Sequence, residues 1–600
     1  MIKLSDYVIQ CIVKQGVKHV FMLPGGGAMH LNDSLGNTPD IEFVCNLHEQ
    51  ASAIAAEAYA KVTNNLGVAL VTTGPGGTNA VTGVAGAWLD STPCLFISGQ
   101  VKRADLKGDS GVRQLGVQEV DIVSIVKSIT KYAVIVTEPN TIRYHLEKAI
   151  YLAKSGRPGP VWIDIPLDVQ AAMIEPETQE GFNPQEIESH FDITQLTEQA
   201  HQLIKLLNES ERPVIVVGNG VRLANAQAEF LELINDLGIP VLTTWLGLDL
   251  IADDHPLCFG KPGSMAPRGA NFTLQNSDLL LSIGARLDMA MTGYAHDKLA
   301  RAAKKIIVDI DPAEIKKMKT TIHLPICADA KDFLQEVLKQ REKIQHKDLS
   351  NWLGHCQKWK YKYPVVLPEY WNQTEGVSAY IFSQVLAEEL TAQDVIVSGS
   401  SGNAIETFLL VFAVKTGQRI FHTRGLGSMG FGLPASIGAC LASGCKRTIC
   451  IDGDGGFQMN IQELETAKRL NLPIKFFVFN NQGFASIRNS QQKYFSRLVG
   501  ADPTSGLTLP SLLNVASAYG LATKQISISV NLREQIREVI NSNDLIICEV
   551  IVPKNEVRAP SLSSFKKEDG TMVSKPLEDM WPFLERKEFI SNMIVPPLLE

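Results

Sequence analysis

No run of the chain reaches the roughly 18–20 consecutive apolar residues that a membrane-spanning helix needs, so no membrane segment is expected. The N-terminus, Met1-Ile2-Lys3-Leu4-Ser5-Asp6, lacks the apolar core of a secretory signal and passes straight into a helix-like pattern over Leu4 to Gly16. The 10 cysteines contain no CxxC pair, and several, such as Cys94, Cys440 and Cys450, sit inside apolar runs. That usage reads as reduced core thiols in a cytoplasmic protein. There is no basic arm and the net charge is −8, so no nucleic-acid partner is expected. The lysines of 340–375, with Trp359, Tyr361 and Tyr363 among them, have acidic neighbours and read as a solvated linker with aromatic anchors. A complete GxGxxG is also missing, since Gly218-Asn219-Gly220 is only a fragment of that fingerprint.

What is present is ordinary globular material in quantity. The chain has 600 residues, 45 % apolar and 20 % charged, enough for about two to four cores. Its most informative stretch runs from Ile449 to Gly483. Two apolar runs, Ile449-Cys450-Ile451 and 474–479, each lead into a special turn. The first turn is Asp452-Gly453-Asp454-Gly455-Gly456-Phe457 and the second is Asn480-Asn481-Gln482-Gly483, with a helical segment expected over 460–467 between them. Strand, turn, helix, strand, turn in a parallel sheet sets both turns side by side at the carboxyl ends of neighbouring strands. Open α/β sheets bind ligands there. Asp454 offers a carboxylate and Asn481 an amide carbonyl, hard oxygens that suit Mg²⁺. Gly455 and Gly456 let the backbone approach a phosphate at a helix N-terminus. Two unrelated Gly/Asn turns are the plainer alternative, and the paired spacing favours a metal–diphosphate site.

Gly453-Asp454-Gly455, followed after a helix and strand by Asn480-Asn481, resembles the metal signature of the thiamine diphosphate enzymes. Further motifs agree from about residue 3 to about residue 550, and the sequence is most similar to the large subunit of acetolactate synthase. The resemblance implies an α/β chain of three doubly wound parallel-sheet domains. These are a pyrimidine-binding domain at 1–180, a central domain at 195–340 and a diphosphate- and Mg²⁺-binding domain at 375–555, followed by a tail at 556–600. It implies Mg²⁺ on Asp454, Asn481 and the carbonyl of Gly483, with Gly453, Gly455 and Gly456 at the diphosphate.

In the first domain, Asn46-Leu47-His48-Glu49 precedes an alanine-rich helix over 51–60. A glutamate at such a junction is commonly a first-turn carboxylate. The resemblance gives Glu49 a second role, sharing a proton with N1′ of the thiamine pyrimidine. Pro24 and Gly25, and Gly74 with Asn79 in Gly74-Pro75-Gly76-Gly77-Thr78-Asn79, fall in the family's cofactor loops. Gln118, in Gly116-Val117-Gln118-Glu119, matches a position near the reacting carbons, with an ordinary surface glutamine as its alternative.

The middle domain follows a polar linker at 170–195. Acetolactate synthases bind FAD against it, in a role that needs no net redox step. Gly284-Ala285-Arg286-Leu287-Asp288 and Asp309-Ile310-Asp311-Pro312 resemble that site, with Arg286 as a contact. Gly260 to Gly269 departs from it, so FAD stays an open alternative. In the last third, Ser401, Gly402 and Asn403 stand where the family has Gly-Gln-His-Gln at the diphosphate. Gly427, Ser428 and Met429 match the loop whose carbonyl meets the aminopyrimidine and whose methionine wedges between the cofactor rings. The tail carries Trp581, Pro582, Phe583 and Leu584 and reads as a strap over the surface.

The acceptor side departs from acetolactate synthase. Ala290 replaces the arginine that binds the second keto acid, Ser490 a tryptophan, Val117 a phenylalanine and Leu167 a lysine. A bidentate clamp and two aromatic rings are lost, which suits a bulkier neutral ketone. The first expectation is therefore thiamine-dependent decarboxylation of a 2-keto acid, pyruvate foremost, with acyl transfer to a neutral carbonyl compound. Acetolactate synthase, a simple decarboxylase or hydrolase, and a non-catalytic cofactor-binding protein are the alternatives. A homo-oligomer is expected, with each site shared between the Glu49 domain of one chain and the Asp454 domain of another.

Overall fold

The computed structural model describes residues 1–187, 193–399, 402–567 and 569–598. Near-continuous Val/Ile/Leu/Phe runs such as 213–217, 279–283 and 474–479 form strands buried on both faces, which parallel sheets with helices on both sides require. Three such sheets form, as the family resemblance implies.

In spatial order the first sheet is Glu42–Cys45, His19–Met22, Gly67–Val71, Cys94–Gln100, Val161–Pro166 and Tyr132–Ile135. The third is Arg419–Phe421, Val395–Ser398, Thr448–Gly453, Ile474–Asn480, Ile546–Ile551 and Ala522–Ile526. Numbered within each domain, both run 2-1-3-4-6-5, so the two domains repeat one topology. The middle sheet runs Val241–Thr243, Pro213–Val217, Leu279–Ile283, Lys304–Asp309 and Leu324–Cys327, an order of 2-1-3-4-5. In each, the order reverses between the first and third strands, which opens a crevice at their carboxyl ends.

The first and third domains share a core. The alanine-rich helix Glu49–Thr63 packs on Gly432–Ala442 and on Pro75–Leu89. The approach is close because the facing residues are small. A side chain at Gly438 would lie 2.1 Å from the carbonyl of Ala55, and one at Gly83 would lie 2.4 Å from Ala53.

Three sequence expectations change. Residues 350–362 are a helix, Ser350–Lys362, not a solvated linker. Trp352, Cys356 and Trp359 line one helical stripe and are buried, and the indole of Trp352 donates to the carbonyl of Pro213 at 2.9 Å. A side chain at Gly269 would lie 2.8 Å from the backbone of Lys360, so that glycine admits the helix. The polar stretch after 170 includes Met173–Ile174, which pairs antiparallel with Ile2–Lys3 and closes the first domain. The expected turn after Gly453 is a single helical turn, Asp454–Phe457, and the following helix begins only at Glu463.

The tail straps the middle domain. Asn271 donates to the carbonyl of Leu577 at 2.8 Å, Gln275 to Glu578 at 2.6 Å, and Arg268 to the carbonyls of Met580 and Pro582. Among the described residues, no helix is long and apolar enough to cross a membrane.

Candidate active site

Strands Thr448–Gly453 and Ile474–Asn480 are parallel neighbours paired from Thr448↔Ile474 to Gly453↔Phe479. Their carboxyl ends therefore deliver Asp454 and Asn481 to one place. Asp454 is buried, its Oδ1 accepts from the N–H of Gly455 at 2.9 Å, and its Oδ2 accepts from the N–H of Gly483 at 3.0 Å. Burial pushes its carboxyl up to about 6 despite these donors. The side-chain oxygen of Asn481 is buried without a hydrogen-bond partner. An orphaned carbonyl oxygen beside a buried carboxylate suits a hard cation, which would supply the missing partner. Among the described residues, no group of three or more His, Cys, Asp or Glu forms a metal site. The set here is one carboxylate, one amide and a backbone carbonyl, as an ion that keeps phosphate and water ligands allows. Gly483 has φ +135°, and a side chain there would lie 2.3 Å from the carbonyl of Ala501. Gly455 faces the ring of Phe484, which a Cβ would meet at 2.3 Å. Gly453 ends its strand and Gly456 lies within the helical turn.

Glu49 is the first residue of its helix, capped by the imidazole of His48, which accepts from the N–H of Gln50. It is only 6 % exposed, and its Oε2 accepts from Asn79 at 2.9 Å. Asn79 lies on the helix Pro75–Leu89 that follows Gly74. Glu49, Gly74 and Asn79 therefore come together, as their sequence motifs separately suggest. Gly74 has φ +65°, and its missing Cβ would lie 2.3 Å from the carbonyl of Gln118. Gln118 itself has φ +64°, a conformation few non-glycine residues adopt. It is held against the Gly74 turn by Glu119, which accepts from the N–H groups of Lys107, Leu115 and Gly116. Sequence reading missed Glu119, although one acidic residue beside a glycine-containing loop was the available signal. Pro24 and Gly25 follow the strand His19–Met22, and a Cβ on Gly25 would lie 2.5 Å from Thr72. That places the Pro24–Gly25 loop beside the Gly74 turn, at the crevice of the first sheet.

The loop Gly425 to Gly430 precedes the helix Gly432–Ala442. Gly427 has φ +65°, and a side chain there would meet no heavy atom within 4 Å. Met429 follows at 37 % exposure, an unbranched apolar side chain presented to open space, with Ser428 between them. Gly402 opens the helix Gly402–Val411 with φ +38°. Ser401 and the side chain of Asn403 lie outside the described residues.

A second concavity lies at the crevice of the middle sheet. It is a cavity of about 390 Å³ reached by all three domains, through Asp90 and Arg157, through Gly220, Trp245, Arg286 and Asp309, and through Arg424. Its floor is glycine, since a Cβ on Gly220 would lie 2.7 Å from Gly284. The side-chain oxygen of Asn219 on its wall is buried without a partner. Arg286 reaches across and donates to the carbonyl of Leu89 at 3.2 Å. Burial pushes Asp309 up to about 6. The volume is of the size that organic cofactors use. Its glycine floor and the unsatisfied amide fit a dinucleotide such as FAD.

The acceptor positions are spread over the three domains. Ala290 lies on this cavity's wall, where its carbonyl accepts from the N–H of Ser264 at 2.7 Å. Val117 is 87 % exposed, Ser490 is exposed on the helix Ala485–Phe495, and Leu167 begins a short helix. Arg268 is bound to tail carbonyls, and Arg488 is buried beneath the metal turn, donating to the carbonyls of Asn481 and Lys554.

The N-terminal TPP-binding domain of thiamine pyrophosphate (diphosphate) enzymes matches residues 2–125, the central domain 200–337 and the C-terminal TPP-binding domain 400–550. The chain is 35 % identical to the acetolactate synthase large subunit of Cyanidium caldarium, over 93 % of this chain and 94 % of that one. It is 33 % identical to acetolactate synthase 3, chloroplastic, of Brassica napus, over 93 % and 85 % of the two chains. The chloroplastic enzyme of Arabidopsis thaliana is also 33 % identical, over 93 % and 83 %.

Proposed function

The chain belongs to the thiamine pyrophosphate enzymes, as an enzyme of the acetolactate synthase type, and from that premise we propose that it decarboxylates a 2-keto acid, pyruvate foremost, and passes the acyl unit to a carbonyl acceptor. The observation that carries this reading is the unpartnered carbonyl of Asn481 beside buried Asp454, at the carboxyl ends of two neighbouring strands inside the C-terminal TPP-binding match. Asp454, Asn481 and the carbonyl of Gly483 would hold Mg²⁺, and the backbone at Gly455 and Gly456 would lie along the diphosphate. Glu49 would hold a proton at the pyrimidine N1′, with Asn79 keeping its carboxylate in place. Met429 would fill the space between the cofactor rings, which an unbranched side chain can do. Thiamine diphosphate, when bound, supplies the electron sink that decarboxylation of a 2-keto acid needs. Gln118, strained against Gly74, is the side chain best set to orient the reacting carbonyl. FAD is the ligand proposed for the central cavity.

Two acceptors compete. The similarity to acetolactate synthases favours a second keto acid. Ala290 favours a neutral ketone, because it offers no charge at the position where the family's arginine clamps a carboxylate, and Arg268 is tied to tail carbonyls. Saturating pyruvate as donor, with pyruvate, 2-ketobutyrate and neutral ketones as acceptors, decides between them by product analysis. On the neutral reading, Ala290→Arg raises acetolactate formation by about 10-fold or more, the scale of one restored carboxylate clamp. If the unmodified enzyme already forms acetolactate efficiently and no neutral ketone competes, the keto-acid reading stands.

Exposed apolar side chains flank both halves of the constellation. Met29, Leu47 and Val117 lie beside the first, and Leu426, Met429 and Met459 beside the second. Surfaces of this kind favour a partner, here a second copy of the chain. Sedimentation is expected to give a dimer or tetramer whose dilution to monomer abolishes turnover, and a fully active monomer would rule out sites shared between chains.

A further inference from the structure

Buried charge joins the central cavity to the loop that carries Gly427 and Met429. Lys61 lies on the helix that begins at Glu49. Its ammonium is 2.7 Å from Glu57 and 2.8 Å from Asp90, and it donates to the carbonyl of His422 at 3.1 Å. The Lys61 side chain is 5 % exposed, that of Glu57 1 % and that of Asp90 0 %. Asp90 also reaches the third domain, where its Oδ1 accepts from the N–H of Gly425 at 2.8 Å and its Oδ2 from that of Arg424 at 3.3 Å. Only glycine fits there, because a Cβ on Gly425 would lie 2.6 Å from Leu89 and 2.8 Å from the carboxylate. Gly425 stands two residues before Gly427.

Two of these residues, Asp90 and Arg424, also reach the cavity wall. Asp90, Arg424 and Trp245 line it, and the Arg424 guanidinium lies 4.6 Å from the centre of the Trp245 ring. His422, fully buried, packs edge-on against that ring at 6.2 Å, and neither of its ring nitrogens has a hydrogen-bond partner. Taking three charges out of water is costly, and such clusters serve better to fix one geometry than to add stability. The geometry they fix is the root of the cofactor loop.

We propose that Asp90 and Lys61 are positioning residues that carry occupancy of the central cavity to the Gly427–Met429 loop, so that FAD in the cavity and thiamine diphosphate at the loop tighten each other's binding. The inference rests on the cofactor assignments proposed above. A ligand in the cavity removes water from the part-exposed Arg424 side chain and from the cavity face beside Asp90, whose own carboxylate is already buried. In that drier setting Asp90 holds Lys61 and the N–H of Gly425 more strongly. The loop is then ordered before thiamine diphosphate arrives, and the second ligand bears less of the ordering entropy. Linkage requires the same factor in the reverse direction.

The test is calorimetric titration of thiamine diphosphate with Mg²⁺ into the full chain, with and without saturating FAD, and the reciprocal titration. The expected result is affinity about 5- to 50-fold tighter in the presence of the other ligand, by one factor in both directions. Asp90→Asn, which keeps the acceptor oxygen but loses the charge, should bring that factor close to 1 while each ligand alone still binds. Lys61→Met should do the same, with Lys61→Arg restoring the coupling. Equal affinities with and without FAD in the wild type overturn the coupling. A factor unchanged in both Asp90→Asn and Arg424→Gln overturns the assignment to this cluster, even if Lys61→Met fails to fold. Wild-type protein that binds no FAD overturns the flavin reading instead, and this inference falls with it.

Discussion

Glu49→Gln is expected to leave the fold intact, bind thiamine diphosphate and lose turnover by about 10²- to 10⁴-fold, the range that a positioned acid–base group supplies. Glu49 is buried at the start of its helix, with Asn79 donating to one carboxylate oxygen at 2.9 Å. Glutamine has the same shape and can still accept that bond, so the helix start and its cap have no reason to shift. An amide cannot hold or release a proton at the pyrimidine N1′, which is the proposed role. Two measurements separate this role from a structural one. Thermal unfolding of the variant should match the wild type, while hydrogen–deuterium exchange at the thiazolium C2 of bound cofactor should slow along with turnover. Exchange at the wild-type rate in a slow enzyme would show that Glu49 acts elsewhere in the reaction.

The second large effect is expected at the metal turn. Asp454→Ala should weaken Mg²⁺-dependent binding of thiamine diphosphate by at least about 100-fold, more than the loss of an outer-shell partner usually costs a metal site. The substitution removes a charged ligand and also orphans the N–H groups of Gly455 and Gly483. Asp454→Asn isolates the first effect, since an amide oxygen can still accept one of those bonds. It should retain the fold and lose most of the affinity. Asn481→Ala removes only a neutral oxygen and should cost less, about 10-fold. Affinities measured at fixed Mg²⁺ and unchanged in all three variants would refute the metal assignment.

The metal turn could be read from sequence because its signals are local. An apolar run, a Gly/Asp or Asn/Gly turn and their repetition after a helix are all contained in 449–483. The same holds for the strands, since an uninterrupted run such as 213–217 has no other stable place than a sheet covered on both faces. Glu49 was legible as a first-turn carboxylate at a strand–helix junction, and its catalytic reading came only from resemblance. The stripe Trp352, Cys356 and Trp359 was also present in the sequence. Lys358, Lys360 and Lys362 around it hid it, and only the arrival of Gly269 against Lys360 shows which face is covered.

By itself, then, the sequence determined the long apolar strands and which turns carry hard oxygens and flexible glycines, because backbone propensity and side-chain chemistry act over a few residues. Tertiary structure alone decided the strand orders 2-1-3-4-6-5 and 2-1-3-4-5, and with them the crevices where Gly25 meets Thr72 and Gly220 meets Gly284. It alone brought Lys61, Asp90 and Gly425 within hydrogen-bonding reach across two domains. No local pattern encodes such pairings. Which strand lies beside which, and which buried charge finds its partner, depends on how whole helices pack after the chain has folded back on itself.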